Sequence, residues 1–390
     1  MKKKVVLAYS GGLDTSCIVH WLKDRNYEVV AFLADLGQEE DLQALKQRAL
    51  KTGAVKVVVE DVRREFIKDF IFPAIKANAV YEGSYLLATA LGRPLIAKKL
   101  VEVAHKEKAT AIAHGCTGKG NDQVRIELTA RILDPKLDII APVREWEFKS
   151  REEEIEYARE KNIPLDVTKK NPYSLDKNLW GVSIECGILE DPYQEPPADA
   201  YQMTTAPEMA LPKPQYVVLS FEKGVPTRLD ERDVQAEQLI RMLNTIGGKH
   251  GVGRSDMVEN RLVGIKSREV YEAPAGWIIH TAHRALEALV LDRDVSHFKP
   301  AIEARYAELI YNGLWYTPLR QALDGFIDET QKHVTGTVRL KLFKGTCSVV
   351  GRTSPYSRYR KELATYTKED TFDQKQAAGF IKIFGMQYIK

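Results

Sequence analysis

The first 165 residues alternate between short apolar runs and longer amphipathic stretches. The apolar runs are nearly continuous in Val, Ile, Leu and Ala, and they read KVVLAY, EVVAFLA, VKVVVED, ATAIAH and LDIIAPV. Strands that lack polar alternation are typical of parallel sheets buried on both faces. The stretches between them have helical spacing, and we predict helices over 15–25, 41–52, 64–77, 94–108 and 150–162. This order predicts an α/β fold with an N-terminal open parallel sheet and helices on both faces.

The pattern changes after Pro164, and a proline-rich stretch follows at residues 192–215. Two alternating segments follow, YVVLSFEKGVPTRL and TGTVRLKLFKGTCSVVGR, and each contains a Lys-Gly pair at a hairpin position. Helical patterns at 277–292 and 298–313 lie between them. We therefore predict a second, α+β domain with antiparallel strands. The predicted units are residues 1–165, residues 166–360 and a C-terminal helical arm at residues 361–390.

The C-terminal arm carries its own helix signals. Thr371 and Gln374 have the spacing of a capping box, which predicts that the helix begins there. An apolar stripe follows at helical spacing: Ala377, Phe380, Phe384 and Tyr388. One interpretation is that the stripe packs on its own chain. The terminal position favours the other interpretation, that the arm contacts a neighbouring subunit of a homo-oligomer.

Composition and charge narrow the class of protein. The 390 residues include 57 basic and 54 acidic side chains, a net charge of +3. Such a balance gives no strong field for nucleic acid or for an anionic membrane. The four cysteines are far apart and form no CxxC pair, which is expected of free thiols in a reducing cytoplasm. The cysteine spacing therefore predicts a cytoplasmic protein without a resident metal site. Since no apolar run approaches 18 residues, we also predict no membrane span.

The first chemical motif is AYSGGLDTS, Ala8 to Ser16, where the first predicted strand turns into a helix. Its glycines free backbone amides, its hydroxyl groups add donors, and the helix N-terminus favours an anion. This combination suits a phosphate, although glycines also occur in turns that only connect a strand to a helix. The turn has no lysine, so it is not a Walker loop. Asp14 would repel bare phosphate, and we interpret it either as a helix cap or as a magnesium contact.

A second glycine turn, GCTGKGNDQVR, follows the fourth predicted strand. Asn121 and Arg125 are four apart and share one helix face, with Asp122 beside them. An arginine can bind a carboxylate through two hydrogen bonds, and an aspartate can bind an ammonium group. The turn therefore suits amino-acid substrates, while the simpler interpretation is a capped helix with solvated charges. Because both turns follow strands of one sheet, we expect them to face one crevice.

The motifs also carry a family resemblance. SGGLDTS resembles the pyrophosphate loop of the N-type ATP pyrophosphatases, which cleave ATP between the α- and β-phosphates. Together, AYSGGLDTS, GCTGKGNDQVR, YSLDKNLWGVSIE and GVGRSDMVENRLVGIKSREVYE resemble the argininosuccinate synthase family in order and spacing. The resemblance implies an ATP-dependent ligase of arginine biosynthesis that joins citrulline to aspartate and releases AMP and pyrophosphate. It also implies Mg²⁺, a citrullyl-adenylate intermediate and a homotetramer.

The resemblance further implies which residues bind each substrate. ATP is assigned to Ala8, Tyr9, Ser10, Gly11, Gly12, Leu13, Asp14, Thr15, Ser16, Ala34 and Gly115. Aspartate is assigned to Thr117, Asn121 and Asp122. Citrulline is assigned to Tyr85, Ala90, Asn121, Arg125, Ser174, Ser183, Glu259 and Tyr271. Family members often have a hydroxyl residue where this chain has Ala90, so only a backbone contact is expected there. Asp14, Asp122 and Arg125 are expected to position the reacting groups, and no general base is assigned.

Two other functions compete with this one. A tRNA-modifying adenylating enzyme with the same loop would need a basic RNA-binding surface and usually a reactive cysteine pair. A non-enzymatic nucleotide-binding module would not need the second glycine turn or a large second domain. The near-neutral charge and the absence of CxxC favour the ligase over the first alternative.

Overall fold

The computed structural model describes residues 3–148, 150–164 and 172–389. Its first sheet has five parallel strands: β1 (Lys3–Ala8), β2 (Tyr27–Asp35), β3 (Lys56–Asp61), β4 (Ala111–Ala113) and β5 (Asp138–Ile140). They lie in the order β3-β2-β1-β4-β5, which confirms the predicted open parallel sheet. The strand order reverses between β1 and β4. Ligands of such sheets bind at this switch point, beyond the carboxyl ends of the strands. Both glycine turns leave the sheet there.

The helices around this sheet match the predicted pattern, with one correction. They are α1 (Leu13–Asp24), α2 (Leu42–Thr52), α3 (Arg63–Phe66), α4 (Phe72–Lys76), α5 (Ala88–Glu107), α6 (Asp122–Leu133), α7 (Pro142–Glu145) and α8 (Arg151–Glu160). A π-helical turn, Ile67–Ile71, joins α3 to α4.

The predicted start of α5 at Pro94 is wrong, because the helix begins at Ala88 and contains the proline. The Tyr85 hydroxyl accepts hydrogen bonds from the amides of Thr89 (3.0 Å) and Ala90 (3.3 Å). These bonds satisfy two amide groups that have no partner inside the helix, which allows the earlier start.

The second half contains two antiparallel sheets, which confirms the predicted antiparallel strands. Its strands are β6 (Ser174–Asn178), β7 (Gly181–Glu185), β8 (Gln215–Glu222), β9 (Val225–Leu229), β10 (Arg232–Asp233), β11 (Arg254–Asn260), β12 (Lys266–Glu272), β13 (Gly336–Phe343) and β14 (Thr346–Thr353). One sheet has the order β10-β9-β8-β13-β14 and the other β11-β12-β7-β6. Four helices complete this half: α9 (Ala236–Lys249), α10 (Pro274–Val290), α11 (Arg293–Tyr311) and α12 (Pro318–Gln331).

The β11-β12-β7-β6 sheet is attached to α5, a helix of the first half of the chain. The Asn178 side chain donates to the Ala88 carbonyl (2.8 Å), and the Trp180 indole donates to the Leu86 carbonyl (2.9 Å). The largest apolar cluster contains side chains from both halves, among them Leu91 and Val217. The predicted domain boundary at 165/166 lies outside the described residues and stays a prediction. The shared core places β7 and the β11–β12 hairpin against the carboxyl edge of the parallel sheet.

The C-terminal arm contains α13 (Lys361–Ala364) and α14 (Gln376–Gly385). The predicted capping box is wrong, because the helix begins five residues after Thr371, whose hydroxyl donates instead to the Glu362 carbonyl (3.2 Å). The apolar side chains of α14 are exposed: Phe380, Ile381, Ile383 and Phe384 are each more than half accessible. Packing of this stripe on its own chain is therefore not what the structure shows. Across the described residues, none of the helices has the length and apolarity needed to cross a membrane.

Candidate active site

The shape of the first glycine turn is set by one glycine conformation and by side-chain contacts. Gly11 has a φ of +77°, a conformation that favours glycine. The Ser10 and Thr15 hydroxyls lie 3.1 Å apart across the turn. Arg48 of α2 donates to the Gly11 carbonyl (2.7 Å), which brings a guanidinium close to a turn that has no lysine. Sequence reasoning missed Arg48, because only the packing of α2 beside α1 and β2 reveals it.

Asp14 lies in the first turn of α1, and the predicted capping role is wrong because Gly12 occupies the N-cap position. Its carboxylate instead lies near Glu154 of α8. Burial and the charge of Asp14 raise the pKa of Glu154 to about 8. The Oε2 atom of Glu154 is buried without a hydrogen-bond partner within the described residues. Carboxylate oxygens are the donors that Mg²⁺ prefers, and an ion here would displace the proton that the raised pKa of Glu154 retains, so the magnesium interpretation of Asp14 stays a prediction.

The second glycine turn is ordered by a residue that sequence reasoning left unassigned. His114 Nδ1 accepts from the Cys116 amide (3.2 Å), so its Nε2–H faces Glu127 Oε1 at 3.1 Å. The Gln123 side chain donates to the carbonyls of Gly118 (2.6 Å) and Gly120 (3.2 Å). These bonds fix the path of the loop between β4 and α6.

Asp122 lies between two arginines, of which Arg125 is buried and Arg93 is partly buried. Arg93 Nε donates to Asp122 Oδ2 (2.8 Å), and Arg125 Nη1 donates to Oδ1 (2.9 Å). A second nitrogen of Arg93 binds Asp176 of β6. Burial opposes ionisation of Asp122, but the two guanidinium charges hold its pKa below the ordinary value. The carboxylate therefore stays charged although it is partly buried.

Arg125 also joins α6 to the second half of the chain. Its Nε donates to the Tyr311 carbonyl (2.9 Å). Asn121 donates to the Tyr311 hydroxyl (2.7 Å) and accepts from the Leu262 amide (2.9 Å). Arg125 Nη2 is buried and has no hydrogen-bond partner within the described residues. An unused charged donor in a cavity wall is available to a ligand oxygen.

The wall opposite α6 is aromatic and acidic. Tyr85 and Tyr271 stack with ring centroids 4.0 Å apart. The Tyr271 hydroxyl lies 2.8 Å from Glu259 and 2.8 Å from Glu269. The Ser183 hydroxyl lies 3.1 Å from that of Thr89 on α5. Alternation along β11 and β12 places these polar side chains on one face of the hairpin.

One cavity of about 680 Å³ connects the two turns with this wall. The predicted site residues in its lining are Ala8, Tyr9, Ser10, Thr15, Ala34, Tyr85, Gly115, Thr117, Asn121, Asp122, Arg125, Ser174, Ser183, Glu259 and Tyr271. Six others are not part of this lining: Gly11, Gly12, Leu13, Asp14, Ser16 and Ala90. Ala90 is fully buried, and its amide binds Tyr85. The lining also contains residues that were not predicted: Arg93, Asp176, Glu185, Arg261 and Glu269.

Comparison with known families gives the same assignment as the motifs. Residues 4–164 match the arginosuccinate synthase N-terminal HUP domain, and residues 173–390 match the arginosuccinate synthase C-terminal domain.

The chain belongs to the argininosuccinate synthase family.

Two relatives that match nearly the whole chain belong to the same family. The chain is 58% identical to the argininosuccinate synthase of Caldanaerobacter subterraneus subsp. tengcongensis over 386 residues, covering 98% of this chain and 94% of the relative. It is 58% identical to that of Carboxydothermus hydrogenoformans over 387 residues, covering 99% and 96%. Family membership confirms the predicted enzyme class, an ATP-dependent ligase.

A solved 4-thiouridine synthetase in complex with RNA and ATP is 17% identical over 41% of each chain, with a TM-score of 0.31. A similarity this low carries no weight for the RNA-modifying alternative.

The first turn generates a prediction about ATP. Replacing Gly11 by Ala forces an alanine into a left-handed conformation, which costs about 1–2 kcal/mol, and brings its Cβ to 2.3 Å from the Leu45 side chain. We expect the KM for ATP to rise about 5- to 30-fold if the loop must return to this shape to bind the nucleotide. Gly12→Ala is the matched control, because Gly12 has a φ of −73° and its Cβ would meet only Ser10 Oγ, at 3.6 Å. Steady-state kinetics in which Gly11→Ala raises the KM no more than Gly12→Ala would contradict this view of the loop.

Proposed function

We propose that this ligase condenses L-citrulline and L-aspartate to argininosuccinate in the cytoplasm, with ATP cleaved to AMP and pyrophosphate, as a step of arginine biosynthesis. The observation that carries the proposal is the single cavity shared by a lysine-free phosphate turn, the Asp122–Arg125 pair and the Glu259–Tyr271 wall. Phosphate donors lie at one end of the cavity, and carboxylates that suit ammonium groups lie at the other.

ATP binds at the switch point of the parallel sheet in this proposal. Hydroxyls of Ser10 and Thr15 and the amides at the start of α1 receive the phosphates, and Arg48 adds positive charge behind the turn. Ala34 and Gly115 line the part of the cavity assigned to the nucleoside. Asp14 and Glu154 have the oxygen donors to hold Mg²⁺. That ion would supply charge neutralisation to the phosphates.

The amino-acid substrates bind between α6 and the β11–β12 hairpin. Asp122, with Thr117 and Asn121, receives the aspartate, because an ionised carboxylate orients an ammonium group. Citrulline binds along Tyr85, Ser174, Ser183, Glu259 and Tyr271. The unused Nη2 of Arg125 donates to a citrulline oxygen. Ala90 acts only through its amide, which holds the Tyr85 hydroxyl in place.

The reaction takes two steps in this site. The ureido oxygen of citrulline attacks the α-phosphorus of ATP, forming citrullyl-adenylate and releasing pyrophosphate. The aspartate amine then attacks the ureido carbon, and AMP leaves. A neutral ureido group is a weak nucleophile, so the residues contribute mainly by holding the reactants in line and by stabilising charge.

Product analysis tests this function. We expect AMP and pyrophosphate in equal amounts, and turnover that needs Mg²⁺, citrulline and aspartate together. Nucleotide chromatography and a pyrophosphate assay, with each amino acid omitted in turn, provide the measurement. Formation of ADP and phosphate, or full turnover without citrulline or without aspartate, would contradict the proposal.

We also propose that the enzyme is a homotetramer to which the C-terminal arm contributes. The exposed stripe of α14 is a continuous apolar surface with aromatic side chains stacked on each other, Phe380 on Phe384 at 5.4 Å. Aromatic side chains bury large areas and are enriched at interfaces, so a helix of this kind at the end of a chain suits the surface of a second copy. The polar segment before it allows it to reach that surface.

Deleting residues 371–390 should therefore leave a folded protein of lower oligomeric mass. The expected reason is loss of the apolar contacts of α14 between subunits, while the described core is left untouched because α14 buries none of its residues in it. Multi-angle light scattering measures the mass, and far-UV circular dichroism checks the fold. An unchanged tetramer after deletion, or a monomeric intact enzyme, would disprove the role of the arm.

A further inference from the structure

The Tyr271 hydroxyl lies between two carboxylates. Its Oη is 2.8 Å from Glu259 Oε2 and 2.8 Å from Glu269 Oε2. A phenol carries one proton and an ionised carboxylate carries none. One O–H can satisfy only one of these two contacts, so the other contact requires a further proton. Two full hydrogen bonds at this hydroxyl oxygen therefore call for one proton more than the phenol supplies.

The surroundings place that proton on Glu269. Arg261 Nη2 lies 2.9 Å from Glu269 Oε1, but the same guanidinium also faces Glu185 and Glu259. One positive charge among three carboxylates leaves an excess of negative charge. Burial and the charge of Glu259 raise the pKa of Glu269 to about 7. The remaining charged or titratable groups around the trio are Tyr81, Tyr85, Asp122, Arg125 and Tyr311.

We propose that Glu269 is a positioning residue that carries the extra proton in the free enzyme and releases it to solvent when the citrulline ammonium group binds Glu259. The inference rests on the proposed assignment of Glu259 and Tyr271 to citrulline. When the ammonium donates to Glu259, it offsets the negative charge that kept Glu269 protonated. With Glu269 ionised, two carboxylates on one face of the β11–β12 hairpin attract the ammonium group. This face therefore favours an amino acid with a free α-ammonium group over an analogue that lacks one.

The direction of the pH effect follows from proton release. Below about pH 7 the free enzyme holds the proton on Glu269, so binding must expel it and citrulline binds less tightly. Above about pH 7 the proton has already left, and binding no longer depends on it. The KM for citrulline is therefore expected to rise as pH falls below about 7, with a limiting slope of tenfold per pH unit.

The test compares the KM for citrulline between pH 6 and 8 in three forms of the full-length enzyme. Wild type should show the rise at low pH. Glu269→Gln, which cannot ionise, should show a nearly flat KM that exceeds the wild-type value at pH 8 and approaches it at pH 6, with the larger effect on KM rather than on kcat. Asp256→Asn is the matched control: it removes a carboxylate from the same hairpin, where Asp256 is exposed and pairs with Arg268. It should retain the wild-type pH dependence.

A wild-type slope retained in Glu269→Gln, or lost equally in Asp256→Asn, would overturn the inference. Calorimetric titration of the wild-type enzyme with citrulline at pH 6.5, in two buffers of different ionisation enthalpy, provides a second measurement that needs no variant. Proton release is expected, and its absence overturns the inference. Glu259→Gln separates this result from the assignment of the site. If that variant leaves the KM for citrulline unchanged, the proposed citrulline site is wrong, whatever Glu269 does.

Discussion

The ion pairs around Asp122 are the interaction on which the rest of the site depends. Arg125 is buried in the described structure and Arg93 is partly buried, and a guanidinium withdrawn from water needs carboxylate partners because its desolvation is costly. Asp122 forms an ion pair with each arginine, and Asp176 forms a second ion pair with Arg93. These side chains come from α5, α6 and β6. The network therefore fixes the second glycine turn, the helix that begins there and the first strand of the small antiparallel sheet in one arrangement.

This arrangement gives the cavity two chemically different ends. At the switch point of the parallel sheet, hydroxyls, free amides and Arg48 offer donors to phosphate. At the far end, Glu259, Glu269 and Glu185 share the single guanidinium of Arg261. In the proposed function, phosphates and ammonium groups are attracted to opposite ends, and the substrates are brought together between them. A ligase that must align three substrates benefits from such separation, since much of its rate comes from orientation.

Much of the fold was predictable from local pattern. The buried parallel strands, the two hairpins and both glycine turns have strong sequence signals, and the structure confirms them. The errors arose where a tertiary contact replaced a local signal. The Tyr85 hydroxyl allows α5 to begin before Pro94. The Thr371 hydroxyl donates to the Glu362 carbonyl and therefore does not cap α14. Arg93 gives no signal of its own, because its partners lie 29 and 83 residues away. Glu269 had a weak sequence signal for the site, because it is two residues from Tyr271 on β12 and so lies on the same face of the strand.

The central claim is that Arg93 acts through Asp122, which a double-mutant cycle tests most directly. The kcat/KM for aspartate is measured in wild type, Arg93→Gln, Asp122→Asn and the double variant, with circular dichroism to check that each is folded. If Arg93 positions Asp122, the double variant loses little more than Asp122→Asn alone, and the coupling reaches at least about tenfold, or about 1.4 kcal/mol. If the two single losses simply multiply in the double variant, the two residues act independently and the account is contradicted.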